Sequence, residues 1–301
     1  MNGRVIQDTT NFVSIDYQDE ILVGQRRYTV TGHEHEFRFG IEDPKYWVKR
    51  AIDKETREKK IIKLAFFESF DITLGGVKIK RFRNPEKEGE ILEFVQNHPN
   101  FMHGKVFRDI KGNNVRILDV VPGTNFLHYI ESLDYDHENY FEKVLPGILN
   151  RLLEAFEAIR FLHLNGFKHG DIRNDHIIIE RDTGNYIWID FDYDHEATEN
   201  PYALDLFGLG NVLLHAIGKG IHDRHMIERQ LSIYGDLKNH LEPGDFSILD
   251  RTRFVNLKKM YPYIPIVVND ILMHFSRSAN VYYDFVDEII EDLNKSINSI
   301  N

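Results

Sequence analysis

The chain has 301 residues and not one cysteine. Disulfides, thiolate metal sites and cysteine nucleophiles are thereby excluded. It also lacks any apolar run near the roughly 18 residues that a membrane-spanning helix needs. The opening stretch MNGRVIQDTTNF has neither the basic region nor the apolar segment of a secretion signal. The expectation is a cytoplasmic protein with no membrane partner. Cations are in short supply: 37 Lys and Arg stand against 48 Asp and Glu, for a net charge of -11. That balance opposes broad binding to nucleic acid, and the basic strand around Lys78 and Arg81 is the one local counterweight. The 15 histidines are scattered without metal-finger spacing, and even the densest stretch, TGHEHEF (31–37), reads as surface. No internal repeat or low-complexity tract stands out.

What is present supports two modest lobes with real cores, since 42% of residues are hydrophobic. The first third reads as strands. YTVTGHEHEFRFGI (28–41) and YWVKRAI (46–52) carry aromatic and β-branched residues in partial alternation. DKETREKK (53–60) is a charged turn. KIIKLAFFESF (60–70) and GVKIKRF (76–82) are two more strands. A first helix is expected over 85–98, with Pro85 in its first turn and Ile91, Phe94 and Val95 as its apolar stripe. KVFRDIKGNNVRILDVVPG (105–123) reads as two antiparallel strands about the KGNN turn.

After Gly123 the character changes. Residues 137–166 are mostly helical, with Leu149, Leu152, Leu153, Phe156, Ile159 and Leu162 at helical spacing and Gly166 as the stop. HIIIE (176–180) and YIWIDF (186–191) are short strands about RDTGN. The remainder reads as helices: ALDLFGLGNVLLHAIG, DRHMIERQLSIYGDL (223–237), VVNDILMHF, and VYYDFVDEIIEDLNKSI. The 223–237 helix is long enough to act as an interface. HGDIRNDHIIIE (169–180) is the densest polar stretch, and by itself it fits either a catalytic loop or a polar turn between a helix and a buried strand.

In this order the segments resemble a protein kinase-like domain over roughly residues 28–294. DKETREKKIIKLAF resembles the hairpin that carries the phosphate-pairing lysine, which places that role on Lys63. EGEIL resembles the αC helix and puts the lysine's ion-pair partner at Glu88; HPNFM follows. HGDIRNDH resembles the catalytic loop, IDFD the metal-binding DFG segment, and DLFGLGNVLL the buried C-lobe helix with Asp205 as internal anchor. The resemblance implies a bilobal α+β fold. Residues 1–122 would form an antiparallel-sheet N-lobe with an N-terminal extension and an αC helix, and 123–301 a mainly helical C-lobe. It implies an ATP-dependent phosphotransferase acting on a hydroxyl, serine or threonine by default. Its partners would be ATP, Mg²⁺ with Mn²⁺ as the alternative, and a protein or small-molecule phosphate acceptor. Two alternatives are a pseudokinase-type regulatory module and a small-molecule kinase.

The residue roles follow from the same resemblance. Asp171 is the candidate base, since phosphoryl transfer to a hydroxyl needs a carboxylate that orients the nucleophile and accepts its proton. Arg173, where kinases usually have lysine, is the candidate γ-phosphate cation. Lys63 and Glu88 complete the catalytic set. Nucleotide contacts are implied at Lys63, Val48, Asp119, Val121 and Asp190, and metal ligation at Asp190 and His176. Read alone, Lys63 is one lysine of a basic strand and Asp171 a turn carboxylate; it is their order with Glu88 and Asp190 that carries the assignment. His169 reads as structural, packed beneath the loop.

Four departures from the kinase pattern stand out. The phosphate-covering G-x-G-x-x-G-x-V is replaced by FGIEDPKYWV, where Gly40 falls near the start but Asp43 and Tyr46 stand where later glycines belong. Gly170 replaces the loop arginine that would clamp a phosphorylated activation segment. Only 14 residues separate Asp190 from Asp205, a narrow platform that favours a small acceptor over an extended peptide. His176 stands where an asparagine would help hold a second Mg²⁺, and imidazole suits softer ions better. Of the residues after IDF, Asp192, Asp194, His195 and Glu196 read as a solvated acidic turn more readily than as substitute ligands.

Overall fold

A computed structural model of the chain describes residues 3–38, 41–74, 76–196 and 199–300. Two compact units emerge: Met1–Ser69 with Phe82–Pro122, and Phe70–Arg81 with Gly123–Asn301.

The first unit is built on a sheet of β1 (Val5–Ile6), β2 (Glu20–Val23), β3 (Arg26–Arg38), β4 (Ile41–Asp53), β5 (Lys59–Leu64), β8 (Gly104–Arg108) and β9 (Asn114–Asp119). Their spatial order is β1-β2-β3-β4-β5-β9-β8, antiparallel except for the short parallel β1–β2 pair. β6 (Ser69–Leu74) and β7 (Val77–Arg83) form a separate hairpin. Side chains alternate across each strand. Ile21, Val23, Tyr28, Val30, Ala51, Ile62, Leu64, Val115 and Ile117 therefore gather on one face, capped by Ile15 and Phe12 of the N-terminal segment. That segment was not assigned any element from sequence. It is tied down by Lys49, a fully buried residue of β4 whose Nζ donates to the carbonyls of Phe12 (2.9 Å) and Ile15 (2.6 Å). Asp109 anchors the start of the same segment through the Thr9 amide and hydroxyl, both at 2.7 Å.

The opposite face receives α1 (Pro85–Phe94), which packs on β8 and β9. Its start follows sequence chemistry: the Asn84 side chain accepts from the Lys87 amide at 3.1 Å, and Pro85 occupies the first turn. The helix ends at Phe94, earlier than the expected 98, with the Val95 amide closing on Ile91.

In the second unit, α2 (Phe126–Ser132) and α3 (His137–Lys143) lead to α4 (Leu145–Leu164), the long helix whose Leu149, Leu152, Phe156, Ile159 and Leu162 are fully buried. β10 (Gly123–Asn125), β11 (Ile177–Glu180) and β12 (Tyr186–Trp188) make a small antiparallel sheet, fixed to α4 by the Trp188 indole donating to the Ala155 carbonyl at 2.8 Å. β13 (Tyr193–His195) pairs with β7, so the sheet order there is β13-β7-β6. The hairpin 70–81 thus belongs with the second unit. α5 (Ala203–Ile217) is buried on nearly all sides. The expected long helix over 223–237 does not form. It is two short pieces, α6 (Arg224–Arg229) and α7 (Leu231–Tyr234), parted at Gln230 and stopped by Gly235 at φ +56°. Then come α8 (Leu257–Met260), α9 (Ile266–Met273) and α10 (Val286–Ile300), with α10 packing on α4 and α9. α10 begins at Val286, so the expected start at Val281 is too early. None of the described helices is long and apolar enough to cross a membrane.

Candidate active site

In the first unit, alternation along β5 sends Ile62 and Leu64 into the core and leaves Lys63 facing α1. Lys63 is 4% exposed, and its Nζ donates to Glu88 Oε1 at 2.7 Å. Glu88 is fully buried, and its Oε2 accepts from Arg116 Nη1 at 2.8 Å. Arg116, directly opposite Lys63 in the β5–β9 register, also donates from Nη2 to the Leu64 carbonyl at 2.7 Å. Buried charges are tolerable only with such partners. Sequence reasoning missed Arg116. Its signal was a lone cation inside the apolar run NVRILDVV. Val48 is buried and lies opposite Lys63 on β4. Asp119 ends β9 with its carboxylate held by Lys60 Nζ at 2.6 Å, and half-buried Val121 follows. Gly40 lies outside the described residues. Asp43 is exposed and pairs in register with Glu36, so two acids face each other on this hairpin.

The second unit brings together the polar loop and Asp190. Asp205 on α5 is fully buried and organises the loop from below. It accepts from the His169 amide (2.7 Å), the Gly170 amide (2.8 Å) and His163 Nε2 (3.0 Å). Burial acts to raise its pKa, but the bonds and charge of His163 and the loop groups outweigh that and hold it well below the usual carboxylate range. Gly170 adopts φ +84°, the left-handed region that disfavours a side chain. A glycine, and no arginine, therefore suits this turn. His169 is fully buried between the Trp188 and Phe191 rings, and its Nδ1 accepts from the Asp171 amide at 3.3 Å.

Asp171 is 7% exposed. Its Oδ1 accepts from Arg81 Nη2 at 2.8 Å. His176 Nδ1 lies 2.8 Å from the Asp171 carbonyl. A carbonyl can only accept, so Nδ1 carries a proton, and the lone pair that a cation needs can only be on Nε2. That lone pair lies 3.8 Å from Asp190 Oδ2. Two electron-pair donors so placed fit a shared cation. Asp190 itself is held at φ +61°, a strained backbone for a non-glycine residue. Among the described residues no cluster of three or more His, Asp or Glu could cage a metal alone. Asp190 and His176 could supply two ligands to a cation.

Arg173 is exposed, and its guanidinium forks onto Asp175 with bonds of 2.9 and 2.5 Å. Of Asp192, Asp194, His195 and Glu196 after IDF, Glu196 alone is exposed, so the stretch is not a solvated turn. Asp192 and His195 are buried, Lys168 engages Asp194 at 2.7 Å and the His195 carbonyl at 2.9 Å, and Lys80 reaches Glu196 at 3.4 Å. They are ordered because β13 pairs with β7.

No protein-family model matches the chain, and neither does any curated protein sequence. Among solved structures, the kinase domain of Mycobacterium tuberculosis PknI is similar. It has 11% sequence identity and a TM-score of 0.50, and the match covers 89% of this chain and 95% of that one. Identity that low speaks to architecture alone. With its sheet-rich N-terminal unit and helical C-terminal unit, the chain has the α+β fold of a protein kinase-like domain.

Proposed function

We propose that the protein is an ATP-dependent phosphotransferase that passes the γ-phosphate to a hydroxyl. The observation that carries this reading is the buried Lys63–Glu88 ion pair at 2.7 Å. A lysine desolvated on a sheet and braced by a helix carboxylate is costly to keep without an anion to serve. In this reading Lys63 neutralises nucleotide phosphates, with Val48, Asp119 and Val121 as further nucleotide contacts. Asp190 and His176 hold the nucleotide's divalent cation, which supplies charge neutralisation at the phosphates. Asp171 orients the acceptor hydroxyl and takes its proton. Serine or threonine is the default acceptor by family resemblance. The short stretch from Asp190 to Asp205 favours a small-molecule hydroxyl.

A second reading, a pseudokinase-type regulatory module, is favoured by one observation: Oδ1 of Asp171 is already engaged by Arg81. Thermal shift with ATP and either Mg²⁺ or Mn²⁺, followed by release of γ-phosphate, separates the two. Stabilisation by metal–ATP together with turnover is expected. Asp171→Asn should keep binding and lose transfer, and Asp190→Asn should lose metal-dependent binding. No shift at millimolar ATP sinks the enzyme reading.

A further inference from the structure

Arg81 stands apart from the expected catalytic set, yet it touches the candidate base. Its Nη2 lies 2.8 Å from both the Gly170 carbonyl and Asp171 Oδ1. The guanidinium is placed from three sides. β7, which carries it, is the middle strand between β6 and β13. The Tyr193 ring lies 4.7 Å from Arg81 Cζ, and the Phe70 ring 6.0 Å. The Glu196 amide donates to the Lys80 carbonyl at 3.1 Å, locking β7 to the segment after β13. Arg81 Nε is buried with no hydrogen-bond partner among the described residues. That cost is sustained by the charge-assisted bonds of Nη2. Arg173, by contrast, is exposed and committed to Asp175.

We propose that Arg81 is the positioning residue for Asp171: the 70–81 hairpin carries in a guanidinium that ties the base to the loop backbone. One nitrogen bridging a backbone carbonyl and a carboxylate fixes both the loop and the side-chain rotamer, which a freely rotating aspartate would not achieve. Oδ2 stays available for an acceptor hydroxyl, with His176 Nδ1 3.5 Å away. The base is then held only while the hairpin is paired with residues 193–195. That couples Asp171 to the segment immediately following Asp190. This proposal rests on the phosphotransferase reading of Asp171.

The test follows ADP formation from ATP with Mg²⁺ or Mn²⁺, water serving as acceptor, in the full chain. Arg81→Met should lower kcat on the order of a hundredfold, with KM for ATP changed by less than about threefold. Added guanidinium ion should restore part of the rate, a response that general destabilisation does not give. A kcat in Arg81→Met within about threefold of wild type, alongside an inactive Asp171→Asn, overturns the role of Arg81 and leaves the phosphotransferase reading standing. Full turnover in Asp171→Asn overturns Asp171 as the base, and the positioning role of Arg81 with it. If Arg81→Met does not fold, Arg81→Lys replaces it, since the shorter lysine side chain does not carry its nitrogen as far as Nη2 reaches. If wild type forms no ADP, amide hydrogen exchange decides. Faster exchange at 170–172, with 77–83 and 193–196 unchanged, supports the proposal; unchanged exchange at 170–172 sinks it.

Discussion

Arg116 lies directly opposite Lys63 across the β5–β9 pair, and both donate to the carboxylate of Glu88. Like charges placed directly opposite are destabilising, so Glu88 is what permits the pair. The three single substitutions should therefore be unequal. Glu88→Gln leaves two buried cations facing each other and should cost about 3–5 kcal/mol. Lys63→Met and Arg116→Met each leave a matched pair and should cost less. Denaturant melts of the three variants check this, and an equal or smaller loss in Glu88→Gln would refute it.

The sign of the effect at Lys49 can be read from pH. Burial lowers its pKa from 10.5 to about 8, against the raising influence of Asp16 and Asp19. Below about pH 8 the ammonium is charged in both folded and unfolded states, and the fold bears its desolvation. Between 8 and 10.5 the unfolded chain still holds a proton that the folded chain has released, so folding gains stability as pH rises. At about 1.4 kcal/mol per pH unit the gain reaches about 3 kcal/mol. His33, 3.2 Å from the ammonium, has its own pKa lowered from 6.5 by burial and then by Lys49, and titrates below this window. Stability curves of wild type and Lys49→Met should diverge from pH 8 to 10.5 in favour of wild type; parallel curves would show that Lys49 keeps its ordinary proton affinity.

Much of this architecture was legible because its causes are local. Pro85 after a capping asparagine, the leucines of α4, and the alternation around Lys63 each act within a few residues. The Lys63–Glu88 meeting followed from the order of segments in the kinase resemblance, and the structure brings the two together. What stayed hidden depends on partners far along the chain. Nothing in VKIKRFR marks Arg81 apart from its basic neighbours, because its partner Asp171 lies 90 positions away. Lys49 looks like an ordinary strand lysine until the 12–15 segment folds over it. The 223–237 stretch misled because its apolar spacing is helical while Gly235 and the break at Gln230 override it. The acidic residues after IDF looked solvated because strand pairing with a distant hairpin leaves no local mark.

Gly170 offers a direct test of why the loop departs from the kinase pattern. At φ +84° any side chain is strained, and a non-glycine residue there costs roughly 1–2 kcal/mol. Gly170→Arg, which restores the familiar motif, should therefore lower stability by about that amount and loosen the amide bond to Asp205. Gly170→Ala should do nearly the same, since the penalty comes from Cβ. Thermal melts of both variants decide it. A stable Gly170→Arg alongside a destabilised Gly170→Ala would mean that the arginine finds compensating partners.

His176 sets the expected metal preference. Its Nδ1 proton goes to the Asp171 carbonyl, and Nε2 faces Asp190 at 3.8 Å. Imidazole nitrogen is a poor ligand for hard Mg²⁺ and a better one for Mn²⁺. Metal-dependent stabilisation by a non-hydrolysable ATP analogue should thus be larger with Mn²⁺ than with Mg²⁺. His176→Asn, which supplies an amide oxygen instead, should shrink the Mn²⁺ shift and raise the Mg²⁺ shift, narrowing the gap. It also removes the Nδ1 bond to the loop, so the melting point without nucleotide should fall, and the comparison has to be made between shifts and not between absolute temperatures. A gap that is as wide in His176→Asn as in wild type would mean that Nε2 never meets the cation.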